Sequence, residues 1–138
     1  MIRDGKPWYI DYQGGRCGAP QYDIASLVYD AKAFIPEHIR NRTMEHHLTL
    51  FSETTGISKA QLGEFSGAFT LIRLMQALGA FGFRGLHENK PTFTESIVPA
   101  VELMNQLFEN GEVKIDLPEL RSASRAVPLQ RKFRALSQ

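Results

Sequence analysis

Hydrophobic and polar positions change their spacing once along the chain. Residues 1–12 read as a β-hairpin. Asp4-Gly5 is a two-residue turn signal, because a type I′ turn needs positive φ at both central positions. Trp8, Tyr9 and Ile10 supply a β-favouring second strand that ends at Asp11. A loop over 13–19 holds Gly14, Gly15 and Gly18 and opens backbone conformations closed to other residues. From there the apolar residues recur every three or four positions, which predicts helices. The first covers about 22–30, with Ile24, Leu27 and Val28 on one face. The second covers about 36–54, with Ile39, Met44, Leu48 and Phe51 inward and Gly56 as its stop.

Ser58 caps the longest predicted helix, about 58–83, in which Leu62, Phe65, Phe69, Ile72, Leu74, Met75, Leu78 and Phe81 cover most of the circumference. That pattern predicts a buried central helix. Another follows over about 92–110 and stops at Gly111, with Pro99 expected to kink its early turns. Beyond residue 115 the pattern fades. Asp116 to Leu120 suits a short helical turn, and the remaining segment to Gln138 is expected to be a loosely ordered basic tail. The expected architecture is mainly α: a short N-terminal hairpin, then a helical bundle occupying residues 1–115.

Composition narrows the class without naming it. A chain of 138 residues supports one core of ordinary size, and 43% hydrophobic with 22% charged residues is usual for a globular domain. The net charge of +1 gives no basic field for nucleic acid or an anionic membrane, so neither is expected as a partner. Residues 68–83 are the greasiest, but Arg73 and Gln76 interrupt them, and no membrane span is expected. No signal-peptide core is visible at Met1, and the single Cys17 excludes an internal disulfide framework; both fit a cytoplasmic protein.

Few residues suggest chemistry. Asp11, at a strand end beside a glycine-rich loop, suits a Mg²⁺ ligand, since magnesium takes one or two carboxylates with phosphate oxygens and water; it equally suits a turn cap. Asp23 stands near a helix start, where a carboxylate is favourable. Arg16 can reach a phosphate or pair with a carboxylate. Arg73 and Gln76, three apart on one helix face, either pair within the bundle, with Glu64 or Glu102, or line a cleft together with Arg84. Glu45, His46 and His47 do not converge on a metal, because adjacent helical side chains diverge by about 100°. Cys17 has a basic neighbour but no histidine near it in sequence, which argues against a catalytic thiol.

The segments Ile10-Asp11-Tyr12-Gln13-Gly14-Gly15-Arg16 and Tyr22-Asp23-Ile24-Ala25 resemble the C-terminal lobe of the aminoglycoside phosphotransferase and choline kinase family, in particular bacterial members similar to cell-wall amino-sugar anomeric kinases. The resemblance spans about residues 1–110 and is strongest over 1–30. It implies a kinase-like C-lobe and ATP- and Mg²⁺-dependent phosphoryl transfer to a hydroxyl of a sugar-like acceptor. Asp11 would hold the magnesium that bridges the nucleotide phosphates, and Asp23 would hydrogen-bond the catalytic loop. Arg16, Arg73, Gln76 and Arg84 would face the acceptor.

In that family the catalytic Asp and the metal-binding Asn precede the hairpin, so the resemblance places the base upstream of Met1. These 138 residues alone are then expected to be inactive or nearly so. The alternative is a non-catalytic helical module that binds a partner or itself through surface formerly packed on other segments.

Overall fold

A computed structural model describes residues 1–8 and 17–127. Ile2–Arg3 (β1) and Lys6–Pro7 (β2) form an antiparallel hairpin with Ile2 opposite Pro7 and Arg3 opposite Lys6. Asp4 and Gly5 have φ of 53° and 71°, the paired positive values the sequence predicts for this turn. All of residues 1–8 are exposed. The expected continuation of the second strand through Tyr9, Ile10 and Asp11 falls outside the described residues.

The remainder is helical: Pro20–Val28 (α1), Glu37–Thr55 (α2), Lys59–Glu64 (α3), Ser66–Gly82 (α4), Pro91–Thr94 (α5), Ile97–Glu109 (α6) and Pro118–Ala126 (α7). A single π-helical turn, Phe83–His87, continues α4. Helix α4 packs against both α1 and α6, and α7 packs against α6. The core between them comprises Ile24, Val28, Tyr29, Leu71, Leu74, Met104, Leu107, Phe108 and Val113.

Local chemistry explains the boundaries. Pro20 occupies the first position of α1, where its missing N–H costs nothing, so the helix starts two residues before the expected Tyr22. Its buried residues Gln21, Ile24, Ala25 and Val28 follow the three–four spacing of one helical face. Helix α2 ends on Gly56 in the left-handed conformation at φ 74°, as the sequence predicts.

Three expectations need correction. The predicted helix over 58–83 is two helices. Ser58 and Gln61 do form a reciprocal capping box, but the chain turns at Phe65 and restarts. Gly67, at the start of α4, lies so close to the backbone carbonyl of Glu112 that a Cβ would overlap it, and the turn delivers the glycine to that contact. Nor is α4 buried all round: Thr70, Leu71 and Leu74 point inward while Ile72 and Met75 are exposed.

Pro99 does not kink α6. The break falls before it, at Glu95 and Ser96, and leaves Pro99 in the first turn, where no intrahelical N–H bond is lost. The third correction concerns the basic tail, which is ordered over Pro118–Ala126. Pro118 opens α7, Glu119 and Arg125 match the helix dipole at its two ends, and Leu117 and Leu120 pack on the core. Ser124, buried, donates to Asn105 Oδ1 at 2.8 Å, and Arg121 donates to the Phe108 carbonyl at 3.2 Å.

Candidate functional site

Helix α1 is the element to which the sequence motifs attach. Ile24, Ala25 and Val28 bury its inner face, and this leaves Asp23 in the first turn on the exposed side. Asp23 makes no side-chain hydrogen bond or salt bridge among the described residues, and its position is favourable to the helix dipole by roughly 0.3–1 kcal/mol. Tyr22, beside it, donates its hydroxyl to Gln76 Oε1 of α4. Gln76 is therefore joined to the start of α1, and it is exposed rather than buried.

Arg73, one turn earlier on α4, is half-buried and forms no salt bridge among the described residues, so the expected pairing with Glu64 or Glu102 does not occur. Arg84 sits apart, on the π-helical turn, with its guanidinium 5.2 Å from the Phe93 ring centroid. Lys32 lies over the same ring at 4.8 Å, so Phe93 carries two cations. Gly85 next to Arg84 abuts Thr94, where a Cβ would meet Oγ1 at 2.6 Å, which fixes the π turn against α5. The structure thus brings Gln76 to the start of α1 and carries Arg84 to a separate aromatic contact. Asp11 and Arg16 lie outside the described residues.

No group of three or more potential metal-ligating side chains occurs among the described residues. The cluster at Glu45, His46 and His47 resolves into separate contacts: Glu45 pairs with Lys59, and His47 stacks on Phe51 at 5.9 Å between centroids. Glu88, on the surface, has its carboxyl held below the usual range, chiefly by the hydrogen bond from Lys90 at 2.6 Å.

A buried polar network joins α1, α2 and α6, and the sequence did not reveal it. Arg40, on the helix expected to bury only apolar residues, is 6% exposed, whereas Ile39, expected inward, is 39% exposed. Its guanidinium donates to the Ile35 carbonyl at 2.8 Å and to Gln106 Oε1 at 2.9 Å, and lies 5.2 Å from the Tyr29 ring centroid. The Tyr29 hydroxyl donates to Glu112 Oε2 at 3.1 Å. Burial, and then the adjacent Glu112 carboxylate, push this phenol up to about 12. Asn110 donates to both Glu37 and Glu112 and ties α2 to the end of α6. A lone arginine in a polar helix carries no periodic signal, so only the three-dimensional packing reveals it.

No protein-family model, curated protein or solved structure matches this chain. Among the described residues no helix is long and apolar enough to cross a membrane.

Proposed function

We propose that this chain forms the helical lobe of an ATP- and Mg²⁺-dependent phosphotransferase that acts on a hydroxyl of a sugar-like small molecule. The observation that carries the reading is the start of α1. Tyr22-Asp23-Ile24-Ala25 folds so that Ile24 and Ala25 anchor the helix while Asp23 stays exposed and available to backbone donors of a neighbouring loop. Asp11 is of the residue type that fits Mg²⁺, a cation that takes few carboxylates alongside phosphate oxygens and supplies charge neutralisation during phosphoryl transfer. Asp23 is a positioning residue: its carboxylate holds a loop and takes no proton from the acceptor. Phosphoryl transfer also needs a base and a second metal ligand, roles given to none of these residues, so weak nucleotide binding is what is expected of them. Titration calorimetry with ATP tests it. Weak binding that requires Mg²⁺ and disappears in Asp11→Ala is expected; binding indifferent to Mg²⁺ and to that substitution sinks the assignment.

A second reading, a self-associating helical module, is favoured by one specific feature. Phe65, Ile72, Met75 and Phe83 are all large, apolar and exposed along one stretch of α4 and its ends. Sedimentation across a concentration series separates the two readings. Dimerisation without any nucleotide response supports the module.

A further inference from the structure

The connection between α1 and α2 and the facing side of α6 border an open-sided cavity of about 200 Å³. Its walls include the apolar Val28, Ala31 and Leu103; Arg40 also lines it, with Asp30 and Glu102. Val28, Ala31 and Arg40 are buried, whereas Asp30 and Glu102 are exposed. The cavity therefore has a cation set among buried apolar residues and two carboxylates on its solvent side.

Arg40 is the unusual member. A guanidinium withdrawn from water needs a counter-charge or a full set of acceptors, because leaving it short costs several kcal/mol by the general estimate for buried ions. Arg40 forms no salt bridge with a carboxylate among the described residues. Glu112 is reached only through the Tyr29 hydroxyl, at 3.1 Å from it. Two of the five N–H donors of Arg40 are taken by Ile35 and Gln106, and its buried Nε has no partner among the described residues. The Nε is closed off from solvent and the Tyr29 ring lies against the guanidinium, so what Arg40 offers the cavity is its uncompensated charge and the remaining donors of its two terminal nitrogens.

We propose that this cavity is a binding site for a small aliphatic carboxylate bearing an ammonium group at its far end. The carboxylate takes the spare donors of Arg40, the aliphatic body lies on Val28, Ala31 and Leu103, and the ammonium faces Asp30 and Glu102. Charge-assisted hydrogen bonds to a guanidinium supply orientation, and the apolar wall supplies most of the area. The site stands independently of the phosphotransferase reading, since it uses none of Asp11, Asp23, Arg73 or Gln76.

Three probes of equal chain length test it by amide NMR titration of the whole chain: 6-aminohexanoate, hexanoate and hexylammonium. The expected order of affinity is as written, with the first in the roughly millimolar range that so small a ligand allows. Shifts should concentrate at residues 28–35 and 99–106. Arg40→Met should weaken both carboxylates by roughly tenfold or more, the loss expected for a hydrogen bond to a charged group. Because that variant removes structural contacts too, Glu102→Gln at an exposed position provides the second arm. It should weaken 6-aminohexanoate while leaving hexanoate unchanged or tighter. The proposal is overturned if no probe shifts these residues, if hexylammonium binds as well as 6-aminohexanoate, or if Glu102→Gln leaves the order and spacing of the three affinities untouched.

Discussion

The two longest helices invert what their compositions suggest. Helix α4 is rich in apolar residues, yet it leaves Ile72 and Met75 each 46% exposed while Leu71 and Leu74 fill the core. Helix α2 is mostly polar, and its one buried residue is Arg40, 6% exposed. The difference lies in neighbours. α4 is packed against α1 and α6, but these cover only the side that carries Thr70, Leu71 and Leu74. α2 meets the core near its N-terminal end, where Arg40 reaches Ile35, Tyr29 and Gln106. Hydrophobicity marks a segment as helical, but the packing partner decides which face is buried.

The sharpest way to break this contrast is within α4 itself. Leu74→Ala removes a side chain that is 1% exposed and should destabilise the fold by about 2–5 kcal/mol, through lost burial and the cavity left behind. Ile72→Ala, two positions away, should cost far less, about 1 kcal/mol or below, as for a half-exposed site. Chemical denaturation of both variants measures the gap. Equal losses would mean that Ile72 is covered in solution, which would favour the self-associating reading over a solvent-facing helix side.

A second contrast sets the two arginines against each other. Arg73 interrupts an apolar helix and so draws attention, but it is half-buried and pairs with no carboxylate among the described residues. Arg40 draws none, yet it joins α2 to the end of α1 and to α6. Arg40→Ala should therefore cost about 1–3 kcal/mol, because the Ile35 carbonyl and Gln106 lose a charged donor in a buried setting. Arg73→Ala should stay within about 0.5 kcal/mol of the parent. Thermal melts of the pair give the comparison, and a reversed ranking would show that the interruption in the apolar pattern was the better guide.

These helices also show what sequence reading reaches. The Asp4-Gly5 turn, the Ser58 cap and the glycine stops at Gly56 and Gly111 are set by backbone chemistry within a few residues, and all are present as read. The break at Phe65 was hidden because its cause is remote: the carbonyl of Glu112 approaching Gly67. Helix α7 was legible only as the short turn read over Asp116 to Leu120; its continuation to Ala126 was hidden for a similar reason, since Leu117 and Leu120 are too few to make a periodic signal and are held by packing on the core. Of the candidate residues, Asp23 and Gln76 fall on or against the start of α1, while Arg84 does not, because the π turn directs it to Phe93. Family motifs name positions one at a time; their convergence depends on turns such as this one, which the local sequence does not announce.

A pH-dependent effect, absent at neutral pH, tests the junction where the two helices' surroundings meet. Tyr29 follows α1, is packed in the core, and lies under Arg40 with its hydroxyl on Glu112. Burial first, then Glu112, raise its pKa from 10.0 to about 12. The folded protein keeps this proton over a range where the unfolded chain releases it, so its contribution is fully present below pH 10 and is lost as pH rises towards about 12. Urea midpoints measured across that window should fall more steeply for the parent than for Tyr29→Phe, which has no proton to lose. Glu112→Gln should flatten the slope only in part, because burial, the larger cause, remains. Parallel slopes for all three proteins would mean that Tyr29 is hydrated in solution and that the contact between α2 and the core is looser than its hydrogen bonds imply.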